Sequence, residues 1–86
     1  MEQSFEDIAA VAAQLRAEIS AAQMTVADVV RLSGISRPSM DRYLKGDRDI
    51  PMTVLYRIAS ILRVQPSTIL QRAEQRRRDL MASRVN

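Results

Sequence analysis

The side chains best suited to chemistry concentrate in one stretch, SGISRPSMDRYLKG, residues 33–46. Between its two glycines stand Arg37, Arg42 and Lys45, with Ser36 and Ser39 among them, and Arg48 follows just past the second glycine. A guanidinium donates paired hydrogen bonds in a planar fork, and an ammonium is a compact charge with three donors; both suit anionic oxygens. The rest of the chain narrows the choice. There is no cysteine and no histidine, which removes thiolates, disulfides, zinc fingers, the usual general base and the commonest metal ligand. Lys45 is the one lysine, and nothing beside it would activate it as a nucleophile. The acids are scattered rather than paired. These residues lead us to expect no enzyme, no metal and no cofactor.

Charge points the same way. The net charge of +3 hides an asymmetry. Residues 1–30 hold one cation, Arg16, against five acids; residues 31–86 hold twelve cations against five acids. A basic portion joined to an acidic one suggests a polyanion as partner. No apolar run approaches the ~20 residues that span a bilayer. The start, MEQSFED, has acids where a signal peptide carries cations. The expected location is the cytoplasm.

With 86 residues the expectation is one domain, 1–86, burying perhaps ~60% of the surface of the extended chain. Only Phe5, Tyr43 and Tyr56 are aromatic, so the core must be aliphatic. Ser4 can cap a first helix, with Asp7 three residues later. Phe5, Ile8, Ala12, Leu15, Ile19 and Ala22 then recur at intervals of 3 or 4, a helical stripe ending near Ala21. Thr25 caps a second helix, with Asp28 in the capping-box position and Val26, Val29, Val30 and Leu32 as its apolar set; Gly34 ends it. A third helix runs to about Lys45 and stops at Gly46, with Met40, Tyr43 and Leu44 inward.

Pro38 admits two starts for that helix. With Ser36 as cap, Pro38 falls in the first turn, where its missing N–H is harmless. Alternatively the proline pushes Arg37 to extended geometry and makes Arg37 the cap; serine is the better cap, so Ser36 is preferred. A fourth helix spans about Met52 to Leu62, and Pro66 opens a fifth carrying Ile69, Leu70 and Ala73. The segment QRAEQRRRDL can extend that helix as a dimerisation arm or a basic phosphate contact, or form a solvated tail. No stretch alternates with period two. The fold class is all-α, five helices.

Two short helices joined by a glycine-containing turn define a helix-turn-helix, here about 25–45. Residues 24–64 resemble the lambda-repressor-like, Cro/C1-type helix-turn-helix family. The resemblance lies in Met24-Thr25, Val29-Val30, Gly34-Ile35-Ser36, the polar helix Arg37 to Lys45, Gly46 and Arg57-Ile58-Ala59. It covers roughly 15–70, with a basic extension at 71–86. Two positions depart from the family pattern. Val26 stands where glutamine often supports phosphate and recognition-helix contacts. Val30 stands where a small alanine lets the helices approach, so its methyls either push the two helices slightly apart or are absorbed by the small Ser33 and Ser39 nearby.

The resemblance implies double-stranded DNA as partner. Carried over position by position, base-reading roles fall on Arg37, Pro38, Ser39 and Arg42. Phosphate contacts fall on Lys45 and Arg48, with the helix starts at Thr25 and Ser36 also able to meet phosphate. It implies a homodimer on a palindromic or pseudo-palindromic operator and a phage- or prophage-type repressor acting at the nucleoid. The alternatives are an antitoxin of a toxin–antitoxin pair and a protein-interaction module that keeps the fold without reading DNA.

Overall fold

The computed structural model describes residues 5–85, which form five helices: α1 (Phe5–Ala21), α2 (Val26–Ser33), α3 (Arg37–Lys45), α4 (Met52–Leu62) and α5 (Pro66–Val85). The expected helix order and boundaries are reproduced, and the described residues include no strand. The cap expected at Ser4 lies outside the described residues. The C-terminal alternative resolves as helix: α5 continues to Val85.

The core is aliphatic. Leu15, Met40, Ile58, Ile69 and Val29, one from each helix, are fully buried, and Ile19, Leu44, Leu55, Ala59 and Leu62 close around them. Burying a large aliphatic side chain contributes about 1.5–3 kcal/mol, so this cluster is the main reason five individually weak helices hold together.

The helix ends are built from the chain's own groups. Thr25 is extended (φ −99°, ψ 162°) and forms a complete capping box: its hydroxyl accepts from Asp28 N–H at 3.1 Å, and its N–H donates to Asp28 Oδ2 at 2.9 Å. These bonds hold the Asp28 carboxyl below its ordinary range, the backbone donor of Thr25 first among the causes. Gly34 (φ 73°) and Gly46 (φ 79°) take the left-handed conformation past α2 and α3. A Cβ at Gly46 would meet Ala9 and Ala12 of α1 at 3.6 Å, an ordinary contact distance, so it is the left-handed φ that calls for glycine there. Two other left-handed residues, Gln23 (φ 57°) and Arg63 (φ 58°), close α1 and α4 without glycine. In both, the paired bonds of a Schellman turn hold the strained residue: Met24 N–H to Ile19 O with Gln23 N–H to Ser20 O, and Val64 N–H to Ala59 O with Arg63 N–H to Ser60 O.

Three apolar expectations are corrected. Leu32 is 53% exposed and Leu70 38% exposed, because the faces of α2 and α5 that reach the core are carried by Val29 and Ile69. Ala22 is exposed and lies beyond the end of α1. Conversely, α1 buries two polar residues that a stripe count places outside, Gln14 and Glu18.

Candidate nucleic-acid interface

α3 is held from three sides. Met40, Tyr43 and Leu44 sink into the core. At its start, Ser36 is the N-cap (φ −61°, ψ 150°), its hydroxyl accepting from Ser39 N–H at 3.3 Å. Arg37 is the first helical residue and Pro38 follows it in the first turn. The serine-capped start is therefore the one adopted, and the extended Arg37 start is not. At its end, Gly46 N–H donates to Tyr43 O and Asp47 N–H to Arg42 O, and the Arg16 guanidinium of α1 donates to Leu44 O. A cation on a C-terminal carbonyl suits the negative end of the helix dipole.

The turn between α2 and α3 is equally fixed. Ser33 is buried; its hydroxyl donates to Val30 O at 3.3 Å and accepts from Ile35 N–H at 3.1 Å. Arg57 of α4 donates to Ser33 O at 3.3 Å. Ser33 thus does more than make room for Val30: it stitches the turn. Val30 and Ile35 are half-buried against the core.

With its inner face occupied, α3 presents the expected polar set outward. Ser36, Arg37, Pro38, Arg42 and Lys45 are exposed and Ser39 is half-buried. They differ in readiness. Arg37 Nε donates to Asp41 Oδ1 at 3.0 Å, one helical turn on. Arg42 and Lys45 have no ion-pair partner among the described residues. Arg48, just past the end of α3, sits with its guanidinium carbon 5.7 Å from the Tyr43 ring centroid; this cation–π contact holds the loop against the helix and leaves the residue exposed. Thr25 lies at the start of α2, apart from that outer face. Its own hydroxyl and N–H are used by the capping box, so the groups left for an anion there are the N–H donors of Val26 and Ala27, which lack intrahelical acceptors.

The arginines of α5 are mostly committed elsewhere. Arg72 Nη1 donates to Glu18 Oε2 at 2.7 Å and Oε1 at 3.0 Å; Arg76 Nε donates to Gln14 Oε1 at 2.6 Å; Gln14 Nε2 donates to Glu18 Oε2 at 2.6 Å. Arg77 bonds Glu74 at 2.7 Å and reaches Asp7 at 3.6 Å. Burial opposes the charge on Glu18, but the hydrogen bonds from Arg72 and Gln14 and the two arginine charges outweigh it and hold its pKa below 4.5. The basic tail is thereby partly matched to the acidic first helix, while Arg42, Lys45 and Arg48 stay exposed on α3 and the loop after it.

Among the described residues no group of three or more acids could hold a metal ion, and no helix is long and apolar enough to cross a membrane. Sequence reasoning missed Arg16 and the Gln14–Glu18 pair, and it placed Asp41 on the outer face of α3 as a partner for Arg42, whereas Asp41 pairs with Arg37. Matching i, i+4 spacings, Gln14 with Glu18 and Arg72 with Arg76, were the available signal for the Gln14–Glu18 pair.

A braced first helix, a left-handed glycine in a stitched turn and a second helix that is apolar inside and cationic outside define a helix-turn-helix protein. Residues 14–75 match the Cro/C1-type HTH DNA-binding domain. The chain belongs to that family, and its function class is that of a DNA-binding regulator. No curated protein and no solved structure matches the chain significantly.

Proposed function

We propose that the protein is a sequence-specific repressor of transcription that binds duplex DNA as a homodimer in the cytoplasm, at the nucleoid, without enzymatic chemistry. α3 enters the major groove, which is ~12 Å wide and admits one helix. Arg42 and Arg37 donate to base edges, with guanine O6 and N7 the natural acceptors; Ser39 and Pro38 shape the contact at the helix start. Lys45, Arg48 and the N–H groups at the starts of α2 and α3 meet phosphates and set the register. Two-fold symmetry places half-sites about 34 Å apart, one turn of the duplex, and occupancy blocks polymerase sterically.

The observation that carries this reading is the pairing of a fully seated inner face on α3 with exposed, partnerless Arg42 and Lys45 on its outer face. Cations so placed suit a phosphate-lined groove, where they replace condensed counterions. Selection of bound duplexes from a random pool tests it. Recovery of one inverted-repeat sequence by the wild type, lost in Arg42→Ala, is the expected result. Recovery of no enriched sequence, together with stoichiometric capture of a single protein, would replace it with a protein-interaction role.

A further inference from the structure

Pro38 is the only exposed apolar residue of α3; Met40, Tyr43 and Leu44 are buried. Around it the outer face is polar: Ser36, Arg37, Ser39, Asp41 and Arg42. Each of those has hydrogen bonds to offer a base or a phosphate, and the proline has none. Its nitrogen carries no hydrogen, and its carbonyl belongs to the hydrogen-bond ladder of a helix that runs to Lys45. Nor does the ring move. Proline locks its own φ near −65°, and the Ser36 hydroxyl, accepting from Ser39 N–H at 3.3 Å, fixes the turn on either side of it. An apolar group held this way loses no side-chain entropy when it is covered.

Pro38 and Arg42 stand four residues apart, so they share one side of α3 with their Cβ atoms about 6 Å apart. With α3 in the major groove the two reach base pairs close together, because successive pairs rise about 3.4 Å. The major-groove edges of the bases present donors, acceptors and a single apolar group, the C5 methyl of thymine. Only that group matches the proline. We propose that Pro38 is a specificity-determining residue that reads a pyrimidine C5 methyl group, within about three base pairs of the guanine that Arg42 takes. 5-Methylcytosine carries the same group at the same place in the groove, so the contact accepts either base. This rests on the DNA binding of the proposed function and names what the target must contain: one C5-methylated pyrimidine in each half-site.

The test is a methyl scan of the selected operator with the full chain. Each dT of the half-site is replaced in turn by dU, which removes the methyl group and keeps every donor and acceptor. Wild type loses about fourfold in affinity at one position, the effect of leaving one methyl group in water, and Pro38→Ser loses nothing there. At that position dC and 5-methyl-dC are then compared, each paired with dG. Methylation of the cytosine raises wild-type affinity by a similar factor and leaves Pro38→Ser unchanged. If the variant fails to fold, the wild-type scan still decides. No dU cost at any position of a selected operator would overturn the methyl contact and leave the DNA reading standing. A cost of the same size in both proteins would give the methyl to another side chain. A preference for dT over dC that survives replacement by dU would move the readout to the O4 acceptor and overturn the contact as well. A chain that enriches no duplex would remove the DNA reading itself.

Discussion

Arg37 and Asp41 are bound to each other: the Arg37 guanidinium donates to the Asp41 carboxylate at 3.0 Å along the outer face of α3. A side chain expected to read DNA is therefore already partnered, by an anion one turn on along the same helix. Arg42, one residue beyond that anion, has no ion pair to give up. The two arginines have the same chemistry and different starting states, and this ranks them.

Asp41→Asn frees Arg37 and removes a negative charge from the DNA-facing surface. Exposed i, i+4 pairs are weak, so the gain is modest: affinity for duplex DNA rises about threefold at low salt, for all sequences. Fluorescence anisotropy with operator and scrambled duplexes measures it. In the Asp41→Asn background Arg37→Ala costs more than it does in wild type, because the free guanidinium no longer divides its donors.

Arg42→Ala and Lys45→Ala separate base reading from phosphate holding. Loss of Arg42 costs about 1–3 kcal/mol on the operator and relaxes discrimination at one base pair; loss of Lys45 weakens all duplexes alike and lowers the salt slope by about 1. Titrations at several salt concentrations distinguish the two patterns.

Glu18 makes the fold acid-sensitive in a defined direction. Its folded pKa lies below the ordinary 4.5, through Arg72 and Gln14 outweighing burial. The unfolded chain therefore takes up the proton first, and the stability from the Glu18 charge, fully present above pH 4.5, is lost as pH falls through the folded value. Glu18→Gln at neutral pH costs about 1–3 kcal/mol, below the usual figure for a broken buried pair because the Arg72 side chain is 55% exposed and can be rehydrated. Denaturant melts at pH 7 and pH 3.5 should show a smaller acid loss in Glu18→Gln than in wild type.

Arg63 closes α4 in a left-handed conformation that glycine adopts without strain. Its backbone bonds to Ala59 and Ser60 do not need the side chain. Arg63→Gly should raise stability by about 0.5–1 kcal/mol, read as a higher thermal midpoint. Ser36→Ala, which removes the cap of α3, should lower it by about 1 kcal/mol.

Most of the fold was legible because local chemistry marks its boundaries. Thr25 with Asp28, Ser36 ahead of Pro38, and Gly34 and Gly46 are start and stop signals whose physics acts within a few residues. The inward face of α3 was legible for the same reason, since Met40, Tyr43 and Leu44 repeat at helical spacing. What escaped depends on contacts distant in sequence. Gln14 and Glu18 are polar residues on a helix with an adequate apolar stripe, and only their partners 62 and 54 residues away make their burial possible. The same contacts turn the arginines of α5 from a loose basic tail into internal partners. Arg16 was read as one cation in an acidic region; its use is decided by where the end of α3 packs. Arg63 carries no stop signal, and its left-handed turn is held by neighbouring backbone groups instead.

The central claim, that α3 reads duplex DNA through Arg42, is tested most directly by one titration. Wild type and Arg42→Ala are compared on the selected operator and on that operator with a single substituted base pair, at fixed salt. The account predicts that wild type distinguishes the two duplexes by about 1–3 kcal/mol and that Arg42→Ala does not, at the one position its side chain contacts. Equal discrimination by both proteins at every base pair of the half-site would contradict it.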